Sequence, residues 1–106
     1  MRILFDQGTP APLRHAQTGH TVETAFELGW ATLQNGALIA AAEDAGFEVF
    51  VTTDKNLKYQ QNLGARSISI VVLSTTSWPR IRVVLPDVVA AVESALPAGY
   101  SEVTVK

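Results

Sequence analysis

EVFVTTDKNLKYQQNL, residues 48–63, changes character halfway along its length. Val49, Phe50 and Val51 are β-branched or aromatic, as in a buried strand, and the run stops at Thr52-Thr53-Asp54 before an amide-rich polar segment begins. An aspartate where a strand gives way to a helix stands where function in open α/β sheets is usually found, outside the carboxyl ends of the strands. The pattern predicts a strand over 48–52 and a polar helix from Asp54 to Leu63, ended by Gly64.

The same alternation extends in both directions. Upstream, residues 2–5 read as a first strand ended by Asp6-Gln7-Gly8, and Thr9-Pro10 as an N-cap with proline at the first helical position of a short helix reaching Gln17. Residues 20–26 alternate as a second strand, with Val22 and Phe26 facing inward, and 28–34 form a loop from which Trp30 packs over the sheet. Asn35 caps a helix whose stripe is Leu38, Ala41, Ala42 and Ala45, stopped by Gly46.

Downstream, residues 67–73 are nearly continuous in Ile, Val and Leu, the composition of a strand covered on both faces. Ser74-Thr75-Thr76-Ser77 ends it. Trp78-Pro79 opens a helical stretch that Pro86 divides in two, with Val88, Val89, Val92 and Ala95 on one side of the second piece. Residues 100–105 alternate like an edge strand. Strands alternating with helices in this way predict a single α/β domain with a mostly parallel sheet, helices on both faces and right-handed crossovers. The segments after the parallel strands, Asp6-Gln7, Asp54-Lys55 and Ser74-Thr75-Thr76, then emerge along one edge.

With 106 residues, 47% of them hydrophobic, the chain suits one domain with a real core. It has no cysteine, which removes disulfides, thiolate zinc sites and thiol nucleophiles and fits a reducing cytoplasm. The opening MRILFD leads straight into a strand, leaving no room for a signal peptide, and the longest apolar run is far short of a membrane span. A soluble, cytoplasmic protein is expected. Gly-rich phosphate loops, Gly-x-Ser-x-Gly and His-Glu-x-x-His are all missing from the sequence, which sets aside P-loop, serine-hydrolase and zinc-protease chemistry.

The net charge of -2 is uneven: residues 1–50 hold two cations against six acids, and residues 51–106 hold six cations against four acids. Lys55, Lys58 and Arg66 follow the Asp54 junction closely, either as a solvated surface or as a patch for phosphates. Asp6 and Asp54, at the ends of adjacent strands, have two readings. They cap the helices that follow, or together they hold a hard divalent cation such as Mg2+ or Mn2+, which prefers oxygen ligands. Asn35, Asn56 and Asn62 are cap and surface residues, or they supply neutral amide oxygens to the same site or hydrogen-bond a nucleotide. Thr52 and Thr53 orient the carboxylates or are plain strand residues, and Ser74 to Ser77 contact phosphate through hydroxyls and backbone amides or form an ordinary loop. His15 and His20 are read as surface residues, Trp30 and Trp78 as packing residues.

Asp6-Gln7-Gly8-Thr9-Pro10 after the first strand and Thr52-Thr53-Asp54-Lys55 after a later one form an ordered pair. In that pair, and in the order of elements over residues 1–75, the chain resembles a family of small PIN-like proteins of bacteria and archaea. The resemblance implies a three-layer α/β/α sandwich whose acids bind Mg2+ or Mn2+ for cleavage of RNA. Many relatives look like the toxin half of a toxin-antitoxin pair with a small protein partner. On this resemblance Asp6 and Asp54 are catalytic and metal-binding residues, with Asn35 and Asn56 supporting them where family members often carry acids. Each such Asn keeps one oxygen and lacks the charge, so metal affinity is expected to be lower. Lys55, Lys58, Arg66, Gln60, Gln61, Asn62, Ser74 and Thr75 are the expected RNA-binding residues. The other expectation is a non-catalytic module binding RNA or a partner protein through residues 56–62, and a third is a homodimerising domain.

Overall fold

The computed structural model describes residues 1–17, 19–33, 35–54 and 67–105, with Asn35 described by its backbone alone. The elements in chain order are β1 (Arg2–Phe5), a 3-10 helix (Ala11–Ala16), β2 (Thr21–Thr24), α1 (Asn35–Asp44) and β3 (Val49–Thr52). They continue with β4 (Ser69–Leu73), α2 (Trp78–Val83), α3 (Leu85–Glu93) and β5 (Tyr100–Val103). The expected polar helix over 54–63 falls almost wholly outside the described residues.

The strands form one sheet in the order β2-β1-β3-β4-β5, and every pairing is parallel. Register brings Leu4, Phe50 and Ile70 into one row across the sheet, and Phe5, Val51 and Val71 into the next. Side chains of successive strand residues point to opposite faces, so these rows belong to two different cores. One face carries Ile3, Phe5, Val49, Val51, Val71 and Leu73 under Leu13, Ile81, Val88 and Val92. The other carries Leu4, Phe50, Ile70 and Val72 under Leu38, Ile39 and Ala42 of α1. All residues of β3 and β4 are buried. Burial from both sides is why these strands are apolar at every position but Thr52 and Ser69 at their ends, where a half-exposed strand would alternate.

Local chemistry sets the element ends. Gly46 ends α1 with a positive φ of 85°, a conformation in which a Cβ would be strained. The Arg2 guanidinium donates to the Ala45 carbonyl at this helix end and lies 4.3 Å from the centre of the Phe47 ring, satisfying an orphan carbonyl and adding a cation–π contact. Trp30 meets Phe47 edge-on at 6.3 Å and packs on the α1-side core, as expected. Pro86 sits at the start of α3, where its missing N–H costs nothing, and the helical stretch divides at Val84.

Three expectations are corrected. β2 stops at Thr24, and Phe26 lies in the following turn with 77% of its surface exposed. The 3-10 helix is preceded by Pro10 without a side-chain cap, because the Thr9 hydroxyl is engaged elsewhere. The crossovers also differ in hand. The β1-to-β2 and β4-to-β5 connections cover the same face while moving in opposite directions across the sheet, so their hands are opposite.

Candidate functional site

The strand order reverses between β1 and β3, and the crevice at the carboxyl ends of such a pair is where open α/β sheets place ligands. Asp6 follows β1 at this point, and Asp54 follows β3 two residues after its last strand residue. The backbone N–H of Asp6 donates to the Val51 carbonyl at 3.1 Å, so the β1–β3 ladder itself fixes where the carboxylate leaves the sheet.

Among the described residues three donors hold that carboxylate. Oδ1 accepts the Thr9 N–H at 3.1 Å and the Thr9 hydroxyl at 2.8 Å, and Oδ2 accepts the hydroxyl of Thr52. The Thr9 hydroxyl is also 3.0 Å from the Val51 carbonyl, so its single proton is shared between loop and strand. Thr52 is fully buried, and its hydroxyl oxygen accepts the Asp54 N–H at 3.1 Å. One threonine therefore ties the Asp6 side chain to the Asp54 backbone. Asp6 does not cap the 3-10 helix that follows, which begins at Ala11 without a side-chain cap; its carboxylate instead closes the turn between β1 and that helix through Thr9.

Hydrogen bonding leaves Asp6 a defined way to meet a cation. A carboxylate offers about four lone-pair positions. Among the described residues, both on Oδ1 are taken and one on Oδ2 is taken, so the carboxylate presents one direction from Oδ2. That suits monodentate ligation of a small oxygen-seeking ion that keeps several waters, as Mg2+ does. Among the described residues no group of three or more His, Asp or Glu side chains stands at metal-binding spacing.

Loops after three strands converge here. A Cβ placed on Gly8 would lie 2.5 Å from Thr53 Oγ1, 3.7 Å from Asp6 Oδ1 and 3.8 Å from Thr76 Cγ2. The common edge expected for residues 6–7, 54–55 and 74–76 is thus formed as far as it is described. Asp6, Gly8, Thr9, Phe26 and Thr76 line a cleft of about 570 Å3. On the other side of Asp6 a smaller recess of about 150 Å3 is lined by Trp30, Leu33 and Leu38. Leu38 belongs to the first turn of α1, so that helix begins beside the site. Gln7 braces the edge by donating from Nε2 to the Ala31 carbonyl at 2.8 Å.

Comparison with protein-family models, curated proteins and solved structures finds no match.

Other expected site residues fare differently. Ser74 Oγ accepts the Val105 N–H at 2.7 Å and lies 3.3 Å from the Val105 carbonyl, tying the chain after β5 to the end of β4. Thr75 Oγ1 accepts the Ser77 N–H at 3.1 Å ahead of α2. Both hydroxyls are thus engaged by backbone groups, Ser74 with the chain after β5 and Thr75 within its own loop. Lys55, Asn56, Lys58, Gln60, Gln61, Asn62 and Arg66, like the Asn35 side chain, lie outside what is described. His15 is exposed, as expected, but His20 is half-buried, with Nδ1 3.2 Å from the Met1 amino nitrogen and Nε2 3.8 Å from Glu93. Sequence reasoning missed Thr9 and Phe26. The spacing Asp6-x-x-Thr9, which suits an aspartate turn, was the available signal for the first; nothing in the sequence marks Phe26 as exposed.

Proposed function

We propose that this chain is a PIN-like, metal-dependent ribonuclease in which Asp6 and Asp54 hold Mg2+ or Mn2+. The observation that carries the reading is the Thr52 hydroxyl joining the Asp6 carboxylate to the Asp54 N–H at the point where strand order reverses. Two carboxylates on adjacent strand ends form a hard-oxygen donor set that fits either ion. When bound, such an ion supplies activation of water and neutralisation of charge building on a phosphate.

The chain's own contribution is orientation. Thr9 and Thr52 fix the Asp6 carboxylate before any ligand arrives, so its rotamer need not be ordered on binding. Gly8 keeps the loop after β1 against Thr53, leaving the cleft beside Asp6 open to a phosphodiester. Lys55, Lys58 and Arg66 are assigned to the RNA backbone, and Asn35 and Asn56 to a supporting role beside the acids. A cytoplasmic setting, a small antitoxin-like partner protein and homodimerisation belong to the same reading. Among the described residues no helix is long and apolar enough to cross a membrane.

Cleavage of a mixed RNA pool by the pure protein, with Mn2+, with Mg2+ and with chelator, tests the proposal. Cleavage that needs the metal and is lost in both Asp6→Asn and Asp54→Asn supports it. RNA binding without cleavage, surviving both substitutions, identifies the chain as a non-catalytic RNA-binding module.

A further inference from the structure

Phe26 is a large aromatic residue with 77% of its surface exposed, and it stands at the edge of the sheet where the candidate site lies. Its exposure does not come from a loose turn. The Thr24 N–H donates to Glu27 Oε1 at 3.0 Å, and the Glu27 N–H donates back to Thr24 Oγ1 at 3.1 Å, the reciprocal arrangement of a capping box. The Gly29 N–H donates to the Phe26 carbonyl at 3.1 Å, the Trp30 N–H to the Ala25 carbonyl at 2.8 Å, and Arg14 pairs with Glu27. An apolar ring is thus held in water by a hydrogen-bonded turn.

The ring also stands between two spaces. On one side is the cleft containing Asp6 and Thr9; on the other is a groove of about 490 Å3 lined by Ala11, Pro12, His15 and the Arg14–Glu27 pair. Both spaces share Ala11, Thr24 and Phe26, so Phe26 forms the rim of a track leading away from Asp6. Arg14 is engaged by Glu27, and the groove therefore offers a π face, aliphatic carbon and an imidazole where a phosphate site would offer free cations. That is the chemistry of a nucleobase subsite, since every base has a face that stacks on an aromatic ring.

We propose that Phe26 is a stacking platform for an unpaired nucleobase of the RNA whose backbone crosses the Asp6 cleft, an inference that rests on the ribonuclease reading. The platform fixes where the strand lies relative to the acids, and it tolerates any base.

The test is binding of a short labelled single-stranded RNA, in chelator so that it stays intact, to wild type, Phe26→Ala and Phe26→Trp. A matched RNA with abasic residues and a parallel cleavage assay with Mn2+ complete the set. The expected result is that Phe26→Ala weakens binding about tenfold, as loss of one stacked base would. Phe26→Trp keeps wild-type affinity, and the abasic RNA binds wild type and Phe26→Ala alike. RNA binding unchanged in Phe26→Ala overturns the platform and leaves the metal site standing. An equal loss with abasic RNA also overturns it, as does a change in self-association alone, which would assign Phe26 to a protein surface. Wild type that neither binds nor cleaves RNA removes the ribonuclease reading and the platform together.

Discussion

The hydroxyl of Thr52 donates to the carboxylate of Asp6 while accepting the backbone N–H of Asp54 at 3.1 Å. Thr52→Val keeps the shape of this buried side chain and removes both of these bonds. A hydrogen bond to a charged group contributes about 1.5–3 kcal/mol. Thr52→Val is therefore expected to lose about 2 kcal/mol in urea unfolding and to lower metal-dependent cleavage, with Thr52→Ser close to wild type in both. Equal behaviour of the Val and Ser variants would show that the hydroxyl contributes nothing.

How much of this was legible beforehand follows from the forces involved. The runs at 49–51 and 67–73 mark buried strands because a parallel sheet covered on both faces favours nearly continuous apolar residues. The convergence of residues 6, 54 and 76 followed from parallel topology alone. Phe26 was misplaced because alternation over 20–26 satisfies a strand template, whereas the Thr24–Glu27 box turns the chain first. Thr-Pro is a helix-start signal, but the Thr9 hydroxyl binds the nearby Asp6 carboxylate and the Val51 carbonyl instead. Ile39 is fully buried although it lies beside the expected α1 stripe, since the stripe is wider than the alanines suggested.

Gly8 has no room for a side chain. Its added Cβ would sit 2.5 Å from Thr53 Oγ1, so Gly8→Ala forces Thr53 from its rotamer. A cost of about 1 kcal/mol is expected from that displacement. Thr53→Ala in the same chain should recover most of it, and a double-mutant cycle of urea midpoints reads the coupling directly. Strict additivity of the two substitutions would locate the strain elsewhere.

Two phenylalanines should respond oppositely to truncation. Phe50 is fully buried beneath α1, and Phe50→Ala is expected to cost about 3–5 kcal/mol through lost burial and a residual cavity. Phe26→Ala should stay within about 0.5 kcal/mol of wild type, because an exposed ring loses little on removal. Thermal unfolding followed by circular dichroism separates them; a large destabilisation by Phe26→Ala would mean that the ring is packed in solution.

The Glu27 carboxyl is held below its ordinary value of 4.5 by the hydrogen bond from Arg14 first, then by the Thr24 N–H. A depressed pKa in the folded state stabilises above the unfolded value, and that contribution is lost as pH falls through the folded pKa. Arg14→Gln should therefore raise the Glu27 pKa in an NMR titration and remove part of the loss of stability below pH 4.5. The Thr24 bonds should keep the residue slightly depressed. An unchanged Glu27 titration in Arg14→Gln would exclude the ion pair as the cause.

Binding of Mn2+ to the pure protein, followed by the loss of the free-ion signal in electron paramagnetic resonance, tests the paired-aspartate site most directly. Wild type is expected to take up one ion, with Asp6→Asn and Asp54→Asn each weakening uptake at least about tenfold, the equivalent of roughly 1.4 kcal/mol. Thr52→Val should fall between. Mn2+ uptake unaffected by either aspartate substitution, or no uptake by folded wild-type protein, would contradict a metal site shared by Asp6 and Asp54.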